Sequence, residues 1–191
     1  MRKIQKMKNT FKYILIIGVL FCTFSCGEHH RLKLTMSDFL ESVIHFPDSL
    51  YIVYDGRVTQ ESFDKLKGSV RYNLIMYVDS VSCTSCRISS LNNMLRLYDQ
   101  SEDDKRFSVM TIFSPSKEEV QYLEKSLMRL YYPYPIYIDK THQFSQVNQL
   151  PSDMRLHNFL INQDGNVLFI GNPLENDQLM TIFLSTLSNN N

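Results

Sequence analysis

The sequence has no tryptophan, no charge excess of either sign and only four cysteines. Without tryptophan, a core has to be built on phenyl rings, and Tyr and Phe together supply 23. The balanced charge conceals an asymmetry. All five basic residues of the first 25 (Arg2, Lys3, Lys6, Lys8 and Lys12) lie there without an acid. Setting them aside leaves 15 basic against 20 acidic residues, a net charge of −5. That balance argues against nucleic acid as a partner, because phosphate binding requires a basic face. No internal repeat is present, and no low-complexity stretch beyond the terminal Asn189 to Asn191. With 43% hydrophobic and 21% charged residues, the composition is that of a globular chain.

The one long apolar run, Ile14 to Phe24, has 11 residues. It is too short to span a bilayer, which takes about 20 helical residues. Preceded by the basic stretch and followed by Ser25-Cys26, it reads as an export signal. It resembles a lipoprotein signal, in which the cysteine after a small residue becomes the acylated N-terminus. The resemblance implies a signal over residues 1–25, Cys26 as the lipidation site, a polar tether over 26–35 and a folded domain over 36–191. An uncut membrane anchor is the alternative.

Cysteine arithmetic follows. Cys22 leaves with the signal and Cys26 is committed to lipid, so only Cys83 and Cys86 remain. A disulfide-stapled scaffold is excluded. A Cys83–Cys86 bridge closes a tiny loop and restrains the unfolded chain little. Zinc takes four ligands, and no second CxxC or paired His/Cys motif accompanies this one, so no metal site is assigned.

Periodicity predicts alternating elements. A helix starts near Ser37 and stops before Pro47, and a short strand Tyr51–Tyr54 ends in the Asp55-Gly56 turn. Residues 57–69 are polar, with a short helix near Phe63 to Leu66. Strands are expected over 72–78, 107–113, 134–138, 158–161 and 167–170. The third of these is placed near a sheet edge by its prolines. Helices are expected over 87–98, from about Ser114 to Leu130, 144–148 and 175–187. Asp164-Gly165 is a hairpin turn. The Tyr131–Pro135 segment offers either an aromatic docking surface or packing against a helix. His142 reads as solvated.

Cys83-Thr84-Ser85-Cys86 thus lies between a hydrophobic strand and an amphipathic helix, the context of a redox motif rather than a zinc knuckle. A helix start offers unpaired N–H groups and partial positive charge, which favour a thiolate. Arg87 adds positive charge beside the pair. A structural disulfide and a metal site stay open beside the redox couple.

From about Ser69 to Leu187, some 60% of the chain, the sequence resembles the thioredoxin-like proteins, particularly membrane-tethered thiol–disulfide oxidoreductases of the bacterial envelope. The resemblance rests on Leu74–Arg87 and Arg155–Gly165. It implies a three-layer α/β/α sandwich with a central mixed sheet, Cys83 as nucleophile and Cys86 as resolving thiol. It also implies Leu156 and His157 in a substrate groove and no cofactor. The implied partners are protein or small-molecule thiols and disulfides, with a lipid anchor on the periplasmic or outer-membrane face.

Ser82 stands where that family usually has Trp, and Leu156 where it has a cis-proline. A cis bond before Leu156 would cost ~2.5–4 kcal/mol, so a trans bond is expected. The competing reading is a non-catalytic binding lipoprotein for a protein partner or a copper ion, with His157 joining two thiolates. The peroxiredoxin branch is disfavoured, because Ser80 and Met76 occupy the places of its Thr and Pro.

Overall fold

A computed structural model of the chain describes residues 30–62, 70–82 and 84–189. Cys26, Cys83 and the helix expected near Phe63 lie outside the described residues. The chain divides into two units, Met1–Asp38 and Phe39–Asn191. In the first, the described residues are helical and belong to α1 (residues 30–40), where the Thr35 hydroxyl donates to the Arg31 carbonyl (3.0 Å). Ser37 therefore lies inside a helix instead of opening one. The Leu32–Met36 stretch carries enough strong helix formers to run straight through it.

The second unit holds one seven-stranded mixed sheet. Its strands are β1 (Ser49–Tyr54), β2 (Arg57–Ser62), β3 (Tyr72–Val78), β4 (Phe107–Phe113), β5 (Ile136–Ile138), β6 (Asn158–Asn162) and β7 (Val167–Ile170). They lie in the order β2-β1-β5-β4-β3-β6-β7. β3, β4 and β5 run parallel, and the remaining pairs are antiparallel. β3 is buried over all seven residues, which is why it reads as an unbroken apolar run.

β5 is interior, between β1 and β4, which corrects the edge position expected from its prolines. Pro133 and Pro135 precede the paired stretch, and Ile136–Ile138 keeps every backbone donor.

The longer helices are α2 (Thr84–Asp104), α3 (Val120–Leu130) and α5 (Asp177–Asn189), with the short α4 (Gln143–Asn148) between β5 and β6. Two parallel crossovers in the same direction, β3 to β4 and β4 to β5, put α2 and α3 on one face by the right-handed rule. That face buries Leu74, Met76 and Val78 of β3 against Leu91, Leu97 and Tyr98 of α2, Leu123 and Leu127 of α3, and Phe183 and Leu187 of α5.

Side chains alternate along a strand, so Ile75 and Tyr77 point the other way. There Phe144 of α4 lies 5.7 Å from Tyr77, and Phe39 meets Phe159 edge to face at 5.1 Å. The result is three layers, helix on sheet on helix. Of the Tyr131–Pro135 segment, Tyr132 is buried with its hydroxyl donating to Leu91 O (2.7 Å), and Tyr134 stacks on Tyr98 at 4.4 Å. Packing is the role of those two rings, while Tyr131 and Pro133 face solvent.

The β6–β7 hairpin turns at Gly165, with φ +88°. Its carbonyl accepts from Ile44 N (2.8 Å), and a Cβ at this position would collide with the Ile44 carbonyl. Residues 39–46 are thereby strapped along the hairpin.

Candidate functional site

β3 ends at Val78, and the chain turns at once around Asp79. The Asp79 Oδ1 accepts from Val81 N (3.2 Å), Ser82 N (2.9 Å) and Ser82 Oγ (2.8 Å). An aspartate that gathers nearby backbone donors in this way fixes a turn without helix or sheet. Ser82, where a tryptophan is usual, is buried, and its hydroxyl lies 3.4 Å from Met154 Sδ across the gap. The side chain has become a tie between two loops. Val81 beside it is 83% exposed.

α2 begins at Thr84, whose side chain is buried. Cys86 sits in the first turn, exposed and held in a disulfide. No acid stands in that turn to oppose the positive helix end, and Arg87 follows, also exposed.

The facing loop is ordered by its own polar groups. Asp153 opens a 3-10 turn, Met154–Leu156, by accepting from Arg155 N (3.0 Å). It also grips the Arg155 guanidinium (2.6 and 2.9 Å), which holds its carboxyl below the usual carboxylate range. Leu156 is buried, so what it offers a partner is backbone. No cis peptide bond occurs among the described residues.

His157 is 5% exposed, and its carbonyl accepts from Tyr77 N (2.9 Å). Its ring lies edge-on to the Tyr77 ring at 5.3 Å. Nε2 is 2.7 Å from the Pro151 carbonyl, and Nδ1 is 3.8 Å from Asp79 Oδ2. The turn that follows β3 and the loop opposite it therefore meet through Asp79, Ser82, Met154 and His157.

Between them opens a cavity of ≈ 360 Å³, walled by Tyr77, Asp79 and Val81 on one side and by Leu150, Pro151 and His157 on the other. α4 closes it with Ser145 and Gln146. Burial pushes the Tyr77 phenol up from its ordinary value. His142 is part of this wall too, with Nδ1 2.6 Å from the buried Ser114 hydroxyl, which corrects its reading as a solvated residue. α4 itself is pinned by Asp139, a buried carboxylate accepting from Phe144 N (2.8 Å) and Gln143 N (3.1 Å). Among the described residues no group of three or more His, Cys, Asp or Glu is placed to hold a metal ion.

Asp79 falls within the Leu74–Arg87 stretch, where the sequence pattern assigns it no role of its own. The signal was there, in an aspartate three residues ahead of a serine at a strand end.

No family model matches the sequence, and no curated protein matches it. Among solved structures the chain is similar to AhpC from Enterococcus faecalis, at 15% identity and a TM-score of 0.52, over 80% of this chain and 96% of that one. It also aligns with the pneumococcal exposed lipoprotein thioredoxin of Streptococcus pneumoniae, at 16% identity and a TM-score of 0.48, over 73% and 98% of the two chains. A thiol:disulfide interchange protein DsbE from Chlorobium tepidum aligns at 15% identity and a TM-score of 0.48, over 76% and 98%. Identities this low concern the fold alone. Strand order and the likeness to AhpC agree that the chain has a thioredoxin-like fold.

Proposed function

We propose that the protein is a thiol–disulfide oxidoreductase of the bacterial cell envelope, with Cys83 as nucleophile and Cys86 as resolving thiol. The observation that carries this reading is Cys86, disulfide-held and exposed in the first turn of the helix that leaves central strand β3.

At that place the helix dipole and unpaired N–H groups favour a thiolate over a thiol. In the reductive direction the Cys83 thiolate attacks one sulfur of a substrate disulfide and releases the other as a thiolate. Cys86 then displaces the substrate from the mixed disulfide. Two electrons and two protons pass to the substrate, and Cys83–Cys86 closes as a disulfide. The reverse sequence oxidises a substrate dithiol. The loop of Leu156 and His157, bonded to Tyr77 N through the His157 carbonyl, is the side on which the substrate backbone lies.

Envelope placement rests on the sequence: the basic stretch, the short apolar run and Cys26 as the lipid-bearing residue, followed by a tether to the domain over 36–191. Among the described residues no helix is long and apolar enough to cross a membrane.

The test is alkylation of the full-length protein across pH and across glutathione redox buffers. The expected result is one two-electron couple with the Cys83 pKa depressed below ~8.5. Cys86→Ser should trap a mixed disulfide with substrate, and Cys83→Ser should abolish turnover. A Cys83 thiol that titrates at ~8.5, with no defined couple, would reject the reading.

A further inference from the structure

The cavity beside the motif presents acceptors that face each other. The Pro151 carbonyl can only accept, so the 2.7 Å contact with His157 puts the ring proton on Nε2. In the neutral ring Nδ1 is then an acceptor, and 3.8 Å away stands Asp79 Oδ2, another acceptor. Asp79 Oδ1 already takes three donors from Val81 and Ser82, while among the described residues no hydrogen bond reaches Oδ2. His157 is nine-tenths buried, so water can approach Nδ1 only through the cavity. One donor placed between Nδ1 and Oδ2 satisfies both. A cationic donor does so best, because a charge-assisted bond to carboxylate is about twice as strong as a neutral one.

The walls suit a particular shape of cation. Val81, Leu150 and Pro151 offer apolar lining, Val81 being exposed, and the Asp79 carboxylate and the buried His157 imidazole line the same cavity. A lysine or arginine has this arrangement in complement, a methylene stem carrying a charged head. Arg155 does not fill the place, since its guanidinium is bound to Asp153. The chain after residue 25 is also net acidic, which draws cations toward it.

We propose that this cavity is a specificity pocket for a basic side chain of the substrate, a lysine ammonium or arginine guanidinium next to the substrate's disulfide. It rests on the redox reading above. Asp79 and His157 are specificity-determining residues, and the sulfur chemistry itself is unchanged. The substrate disulfide gains two electrons and two protons to become two thiols, and the Cys83/Cys86 dithiol becomes a disulfide. Dithiothreitol, itself oxidised to its cyclic disulfide, regenerates the dithiol in the assay.

The experiment uses the full-length protein in detergent, pre-reduced with dithiothreitol. It is offered four disulfide-bridged peptides identical except for one residue beside a cysteine: lysine, arginine, norleucine or glutamate. The lysine and arginine peptides should exceed the norleucine peptide in kcat/KM by about tenfold, mainly through KM, and the glutamate peptide should fall below it. In Asp79→Asn, which keeps an oxygen for the Val81 and Ser82 donors, the lysine-to-norleucine ratio should collapse toward one. Should that variant not fold, the wild-type ratios decide alone. Equal rates for all four peptides would overturn the pocket and leave the redox reading standing. Reduction of none would overturn the redox reading and this proposal with it.

Discussion

On one face of β3, Leu74, Met76 and Val78 lie beneath three helices of 21, 11 and 13 residues. On the other, Ile75 and Tyr77 are covered by a six-residue helix and the strap of residues 39–46, which begins in the last turn of α1. The first face is apolar apart from Thr111, whose hydroxyl accepts from the Tyr98 hydroxyl (2.9 Å), and amphipathic helices are the economical cover for such a surface. The second has to bring polar groups to the strand tip. Its cover is therefore short and tied down by Asp139, Asn148 and Gly165 through hydrogen bonds. One side of the sheet secures the fold, and the other lines the cavity beside the motif.

The sharpest way to break that contrast is at Phe183, fully buried against Phe107 (5.2 Å) and Phe169 (5.8 Å) on the helix-covered face. Phe183→Ala should cost ~3–5 kcal/mol in urea unfolding, because the truncation leaves a cavity between sheet and helix. A loss under ~1 kcal/mol would show that this face is not where stability resides.

A smaller effect is expected at Gly165, which holds the strap on the other face. Gly165→Ala forces a side chain into left-handed backbone and against the Ile44 carbonyl. It should cost ~1–3 kcal/mol. Faster hydrogen exchange at the Ile44 amide would locate the damage, since that amide bonds to the Gly165 carbonyl.

The smallest effect belongs to Tyr137, buried on the strap face, where burial pushes its phenol up to about 12. An unfolded tyrosine ionises near ~10. Between pH ~10 and ~12 the unfolded chain has lost that proton and the native chain has kept it, so stability falls as pH rises through this window. Below the window the residue contributes no slope. Tyr137→Phe should flatten the decline in urea midpoints measured from pH 9 to 11.5 by up to one proton's worth of slope.

The helix-covered face was also the more legible one. β3, β4 and β7 fall where their apolar runs place them, because a strand buried on both sides carries its burial in its composition. α2 extends beyond its periodic stretch at both ends, to Thr84 and Asp104, since its first turn is chosen by the loop geometry and not by hydrophobicity.

The strap face hid its features. β5 was misplaced because prolines beside a strand look, in sequence, like prolines within it. Asp79, His142 and Asp139 act through hydrogen bonds to residues far along the chain or to backbone, and no periodicity records such bonds. The cysteine motif was legible as chemistry. The pocket beside it was not, because it exists only when the turn at 79–82 and the loop at 150–157 are brought face to face.

Nearly everything that looks at Asp79 across that pocket comes from one uninterrupted stretch between β5 and β6, residues 139–157. Cys86, by contrast, rides on a helix elsewhere in the chain. If the proposed pocket selects the substrate, recognition is a cassette: exchanging some twenty consecutive residues would change what the pocket admits and leave the cysteine motif untouched.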